Sequence, residues 1–165
     1  MTLAGVPEPA TLAAMEQVLH HERDASLPFA TVCDVTIDPV ASTATVRRHG
    51  HPPPLLLAPE VRWVDEAAAA PPLACVGPVE AKPATVALPP GWAFLLLTDG
   101  IFEGWAGAER LGMDGLARLV GDLRATPGGD ADAEGLLDGL VATTRRLNGG
   151  DLDDDIALLW VGAGG

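Results

Sequence analysis

A chain of 165 residues and 17.0 kDa, 48% apolar with a mean hydropathy of +0.23, can bury a sizeable core and is too hydrophobic to stay disordered. Its formal charge is −13 and Lys82 is its only lysine, so no basic patch can neutralise phosphates and no nucleic acid partner is expected. No apolar run is long enough for a membrane span and no basic-then-apolar leader opens the chain, so no membrane partner is expected and the cytoplasm is the expected compartment.

Residues 9–23 are predicted to form a helix, with Leu12, Met15 and Leu19 at i, i+3, i+7 spacing and Val18 widening the stripe. Ala30 to Ile37 reads as a strand with Cys33, Val35 and Ile37 on one face. Asp38-Pro39 turns the chain and Thr43 to Arg48 returns as the second strand of a hairpin, stopped by the prolines at 52–54. Leu55–Leu57 and Val61–Val64 read as a short hairpin, and the Ala-, Pro- and Gly-rich residues 66–83 as a connection without regular structure. Thr85–Leu88 and Ala93–Thr98 are predicted strands. Two helices follow. The first spans 113–124, with Leu116, Leu119, Val120 and Leu123 inward; the second spans 132–147, with Leu136, Leu137, Leu140, Val141 and Leu147 inward and Asp132 as its cap. Ile156–Val161 reads as the last strand. Strand hairpins with a helix pair inserted before the last strand predict one α+β domain on an antiparallel sheet.

Two carboxylate sites stand out. Phe94-Leu95-Leu96-Leu97 runs into Thr98-Asp99-Gly100, which places Asp99 at the rim of a buried strand; an Asp-Gly turn with no further role has the same pattern. The acidic cluster Asp151-Leu152-Asp153-Asp154-Asp155 opens the last strand, as a metal-binding loop or as a solvated acidic one. Carboxylates at a sheet rim suit Mg²⁺ or Mn²⁺. His49-Gly50-His51 offers either a ligand pair or a histidine that hydrogen-bonds its loop. The cysteines have no CxxC spacing. Neither Cys33 nor Cys75 has an Arg six residues on, where Pro39 and Ala81 stand, which speaks against a cysteine phosphatase; Cys33 reads as a small core hydrophobe.

Taken in order, Phe29-Ala30-Thr31, Gly50-His51-Pro52-Pro53, Leu96-Leu97-Thr98-Asp99-Gly100-Ile101-Phe102-Glu103 and Asp154-Asp155-Ile156-Ala157-Leu158-Leu159 resemble the SpoIIE-like branch of the type-2C (PPM) metal-dependent protein phosphatases. The resemblance covers about residues 7–161. It implies an antiparallel β-sandwich flanked by helices and a two-ion Mn²⁺/Mg²⁺ centre at the sheet rim. In that family, water activated by the ions attacks phosphoserine or phosphothreonine with no covalent enzyme intermediate. Residue by residue, Asp99 and Asp154 correspond to metal ligands, Asp155 to a neighbour at the strand start, and Glu103 to a motif position without a ligand role. His49 stands where the family has a small residue.

The family's Gly-Gly-Asp-x-x-Asp and Gly-Asp-Val-x-Gly-His-Gly motifs, which complete the metal pair, have no counterpart before Asp99. Gly149-Gly150-Asp151-Leu152-Asp153-Asp154 spells the first of them, but in the wrong order along the chain. The resemblance therefore implies the carboxyl-terminal portion of a single phosphatase domain, residues 1–165 with the amino-terminal part missing, and catalytically incomplete. The expected substrate is a phosphoprotein of the anti-sigma-factor-antagonist type. A homodimer or higher oligomer is expected, because missing strands would leave a sheet edge or face uncovered. The alternatives are a non-catalytic interaction module or a divalent-cation-binding module on the same fold.

Overall fold

The computed structural model describes residues 8–21, 29–66, 68–77, 79–106, 109–125, 133–150 and 154–162. In chain order the elements are α1 (Glu8–His21), β1 (Val32–Asp38), β2 (Thr43–His49), β3 (Leu55–Leu57), β4 (Val61–Trp63), β5 (Ala84–Ala87), β6 (Ala93–Leu97), a 3-10 turn (Asp99–Ile101), β7 (Trp105–Ala106), β8 (Glu109–Arg110), α2 (Gly112–Ala125), α3 (Ala133–Leu147) and β9 (Leu158–Gly162). This is an α+β fold with two antiparallel sheets, a two-stranded ribbon and three helices. Asp132, read as a cap, and Asp151 and Asp153 of the acidic cluster lie outside the described residues. None of the described helices is long and apolar enough to cross a membrane. The chain divides into two compact units: Met1–His51 with Glu66–Val86, and Pro52–Asp65 with Ala87–Gly165.

The first unit is built on the β1–β2 hairpin, paired from Val32↔His49 to Asp38↔Thr43, with β5 on the far side of β2. Its turn forms because Asp38 Oδ1 accepts the amides of Val40 and Ala41, both at 2.9 Å, while Ser42 takes φ 51°. Ala44 and Val46 are buried and alternate with half-buried polar residues, the period of a strand with one covered face. The connection 66–83 lacks regular structure, as its composition predicts, but it is stitched to the hairpin. Ala30 and Leu73 exchange backbone hydrogen bonds at 3.2 and 2.8 Å, and Ala70 bonds Arg48 and Gly50. Its small residues Ala70, Ala74 and Ala81 are buried because they permit that close approach.

α1 departs from its predicted orientation. Met15 and Val18 are 40% and 55% exposed, and Glu16 is buried, with Oε1 accepting the Ala74 amide at 3.4 Å. The helix face turned inward thus carries a carboxylate that meets a backbone donor, and the apolar stripe is left partly in solvent.

Cys33 lies on β1 opposite Arg48. Burial pushes its thiol up to about 12, Arg48 pulling it down and Asp34 adding to the rise. Below about pH 9 the thiol is neutral in both folded and unfolded chains. Above that the unfolded chain ionises first, so stability falls between about pH 9 and 12. At pH 8, iodoacetamide is expected to label exposed Cys75 at least about a hundredfold faster than Cys33, because the thiolate is the nucleophile. Equal rates, read by mass spectrometry, would contradict this placement of β1.

In the second unit the sheet order is β4-β3-β6-β9, all antiparallel. Leu55, Leu57, Ala93, Leu95 and Leu97 share one face and form one cluster with Ile101, with Leu116 and Val120 of α2, and with Leu136 and Leu140 of α3. Two helical stripes at i, i+4 thus cover one face of the sheet. On the other face Leu56 and Phe94 are 3% and 0% exposed, so β6 is buried on both sides, as its continuous apolar run predicts. Trp63 Nε1 donates to Met113 O at 3.1 Å and Arg124 to Ala58 O at 2.7 Å, fastening α2 to the β3–β4 hairpin.

Candidate functional site

The register of β6 with β9 assembles the acidic rim. Leu97 pairs with Leu158 in antiparallel sense, so the chain leaving β6 faces the chain entering β9. Thr98 joins them. Its amide donates to Ala157 O at 3.1 Å, its hydroxyl donates to Asp155 O at 3.0 Å, and the same oxygen accepts the Ala157 amide at 2.9 Å. A hydroxyl can donate once and accept as well, which is why a Thr can do this at the end of a strand where the regular ladder stops. Gly100 sits so close beneath that a Cβ on it would lie 2.7 Å from Asp155 O and 3.3 Å from Asp154 Cβ.

Asp99 and Asp154, 55 residues apart in sequence, therefore come to one rim. Asp99 starts the 3-10 turn, and its carbonyl accepts the amides of Phe102 and Glu103 at 3.0 and 2.9 Å. Asp154 Oδ1 accepts the amide of Asp155 at 2.8 Å, which orients that carboxylate. The carboxylates of Asp99, Asp154 and Asp155 are exposed, and no cationic side chain among the described residues pairs with them.

α3 braces the turn from behind. Thr144 Oγ1 donates to Ile101 O at 3.5 Å, and Asn148 Oδ1 accepts the Trp105 amide at 2.8 Å. Glu103 is engaged by Arg110 at 3.8 Å, and Arg110 also donates to the Glu103 carbonyl and lies 5.4 Å over the Trp105 ring.

The histidines do not share a face. Gly50 between them has φ 66°, which breaks the alternation of a strand, and the Pro72 ring would lie 2.5 Å from a Cβ there. His49 is buried; His51 Nδ1 lies 3.1 Å from Thr31 Oγ1 and its carbonyl accepts from Arg48 at 3.3 Å. The loop-bonding alternative of the sequence is the one this geometry follows.

The donor set at the rim fits Mg²⁺ or Mn²⁺ in kind: hard carboxylate oxygens, no competing cation, and open access for the several waters these ions keep. It is a sparse set. No group of three or more His, Cys, Asp or Glu placed to hold a metal occurs among the described residues.

A family model described as Stage II sporulation protein E (SpoIIE) matches residues 1–163. Among solved structures, the phosphatase domain of the cell fate determinant SpoIIE from Bacillus subtilis, presoaked with Mn, aligns with a TM-score of 0.65 at 20% identity over 96% of this chain and 68% of that one. The SiaA-PP2C domain of Pseudomonas aeruginosa aligns with a TM-score of 0.76 at 20% identity over 94% and 60%. The structure of RsbU and RsbW domains from Mycobacterium tuberculosis aligns with a TM-score of 0.68 at 26% identity over 95% and 43%. The chain thus spans 43–68% of the length of these three. Its fold is that of the PP2C phosphatase domains. Comparison with curated protein sequences finds no match.

Proposed function

The chain belongs to the SpoIIE family, and from that premise we propose that residues 1–165 form part of one Ser/Thr protein phosphatase domain acting on a phosphorylated bacterial regulatory protein of the anti-sigma-factor-antagonist type. The observation that carries this reading is the joining of Thr98-Asp99-Gly100 to Asp154-Asp155 at one rim through the Thr98 hydrogen bonds. Asp99 and Asp154 are the residues that would hold Mn²⁺ or Mg²⁺. An ion bound there supplies Lewis acidity toward water and the phosphoryl oxygens. The chain's own residues fix the donors: Thr98 clamps the two segments, the Asp155 amide orients the Asp154 carboxylate, and α3 holds the turn that carries Asp99. With only these two carboxylates at positions that correspond to the family's metal ligands, residues 1–165 supply an incomplete metal shell and are proposed to be an incomplete catalyst on their own.

Two carboxylates and water make a poor cage, so Mn²⁺ is expected to bind weakly, with a Kd of about 0.1–1 mM, the range of sparse calcium sites. Calorimetry should show this binding lost in Asp99→Ala and in Asp154→Ala. Binding that survives both substitutions would remove the rim as the metal site.

The same proposal includes self-association. Among the described residues β1 is an edge strand, seven residues long and carrying Val32, Val35, Thr36 and Ile37, paired with β2 on one side. Such an edge pairs readily with another chain. A dimer or higher oligomer is expected by multi-angle light scattering; a monomer at all concentrations would contradict it.

A further inference from the structure

In the first unit a cavity of about 260 Å³ is lined by α1, the end of β2 and the 66–83 connection. Its walls are mainly apolar, from Leu12, Leu73, Val79 and Ala81. That is the usual make-up of a small-molecule site, with a volume just below the usual size range.

The polar groups in the wall are unequal. Arg47 lies 3.5 Å from Asp34 across the hairpin, so its charge is already answered. Glu16 and Glu80 are the remaining charged groups in the lining. The Glu16 carboxylate is buried, yet it has only the long 3.4 Å bond from the Ala74 amide and His20 Nε2 at 3.9 Å. A buried carboxylate normally has more donors than that. His49 is 5% exposed, and its ring makes no hydrogen bond with another described residue. An apolar cavity therefore holds an under-satisfied carboxylate and a buried imidazole that has an acceptor or donor to offer. The two glutamates repel an anion and attract a cation.

We infer that this cavity binds a small molecule with an apolar body and one primary ammonium group. The ammonium donates to Glu16 and to His49, and the body lies among Leu12, Leu73, Val79 and Ala81. The site lies wholly within the first unit and does not depend on the phosphatase reading.

The test is calorimetry of the full chain at pH 7 with three probes of one shape: 2-phenylethylammonium, 2-phenylethanol and phenylacetate. The ammonium compound is expected to bind at millimolar concentration or below, roughly tenfold tighter than the alcohol, the difference a charge-assisted bond makes. Phenylacetate should not bind. Glu16→Gln keeps the shape and should erase the preference for ammonium over alcohol. Ala13→Trp changes an exposed position of α1 that lines the cavity, and should weaken both ligands at least about fivefold. The proposal is overturned if the ammonium compound does not bind at millimolar concentration, if phenylacetate binds as well, if the preference survives Glu16→Gln, or if Ala13→Trp changes nothing.

Discussion

Given Mn²⁺ and a phosphoserine peptide or p-nitrophenyl phosphate, the isolated 165-residue chain is expected to turn over substrate no faster than background. A two-ion mechanism needs a carboxylate that bridges the ions and an activated water between them. Asp99 and Asp154 supply part of one coordination shell, and the further acidic motifs implied by the resemblance have no counterpart in residues 1–98. Glu103 corresponds to a family motif position without a ligand role and lies 3.8 Å from Arg110 at the surface. No other nucleophile steps in: Pro39 and Ala81 stand where a cysteine phosphatase would need Arg, and the four histidines, at 20, 21, 49 and 51, lie outside both acidic motifs. Loss of the bridging ligands removes several kcal/mol of transition-state stabilisation, on the order of a thousandfold or more in rate. Turnover above background that disappears in Asp99→Ala would overturn this expectation and show that a second copy or another residue completes the shell.

Gly100→Ala is expected to cost about 2–3 kcal/mol of stability and to abolish Mn²⁺ binding, although it removes no ligand. The atoms a methyl group would meet are Asp155 O at 2.7 Å, Asp155 C at 3.3 Å and Asp154 Cβ at 3.3 Å, most of them backbone rather than the end of a flexible side chain. The segment cannot retreat cheaply, because Thr98 holds Asp155 and Ala157 by three hydrogen bonds at 2.9–3.1 Å. Relief requires the entry to β9 to move, and Asp154 moves with it. Gly121→Ala is the matched control. Gly121 lies within α2, has nothing within 4 Å of an added Cβ, and should gain up to about 1 kcal/mol from helix propensity. Urea denaturation and calorimetry on both variants decide the matter; equal behaviour would mean that the rim tolerates the methyl group.

The sequence makes the elements of this fold more legible than their contacts. β6 declares itself by an uninterrupted apolar run, and α2 and α3 by stripes of which Leu116, Leu119, Val120, Leu123, Leu136, Leu137 and Leu140 join the core while Val141 and Leu147, also expected inward, do not belong to that cluster. α1 misleads because its buried face carries Glu16, whose carboxylate accepts the Ala74 amide, while Met15 and Val18 of the apolar stripe stay exposed. β7 and β8 are two residues each, too short for any period to register, and the 3-10 turn at Asp99 has no pattern of its own beyond the glycine. β9 starts at Leu158 rather than Ile156 because Thr98 bonds Asp155 and Ala157 in place of the ladder. At the rim, Asp99 and Asp154 can be picked out from strand ends, but their meeting depends on the Leu97↔Leu158 register, a long-range property that no local window carries. The role of Thr98 had no signal except its place before Asp-Gly.

The Thr98 clamp also sets a timetable. Its partner Ala157 lies 59 residues further along the chain, so at a synthesis rate of about 5–20 residues per second the strand that carries Asp99 waits roughly 3–12 s for the segment that closes beside it. During that wait β3 can pair with β6 and the helices can begin to cover their shared face, while the β9 side of β6 stays open. A ribosome that terminates early, anywhere between α2 and residue 150, releases a polypeptide with one acidic residue of the rim, a bare apolar strand edge and nothing to close it, which is a substrate for quality control rather than a smaller version of the domain.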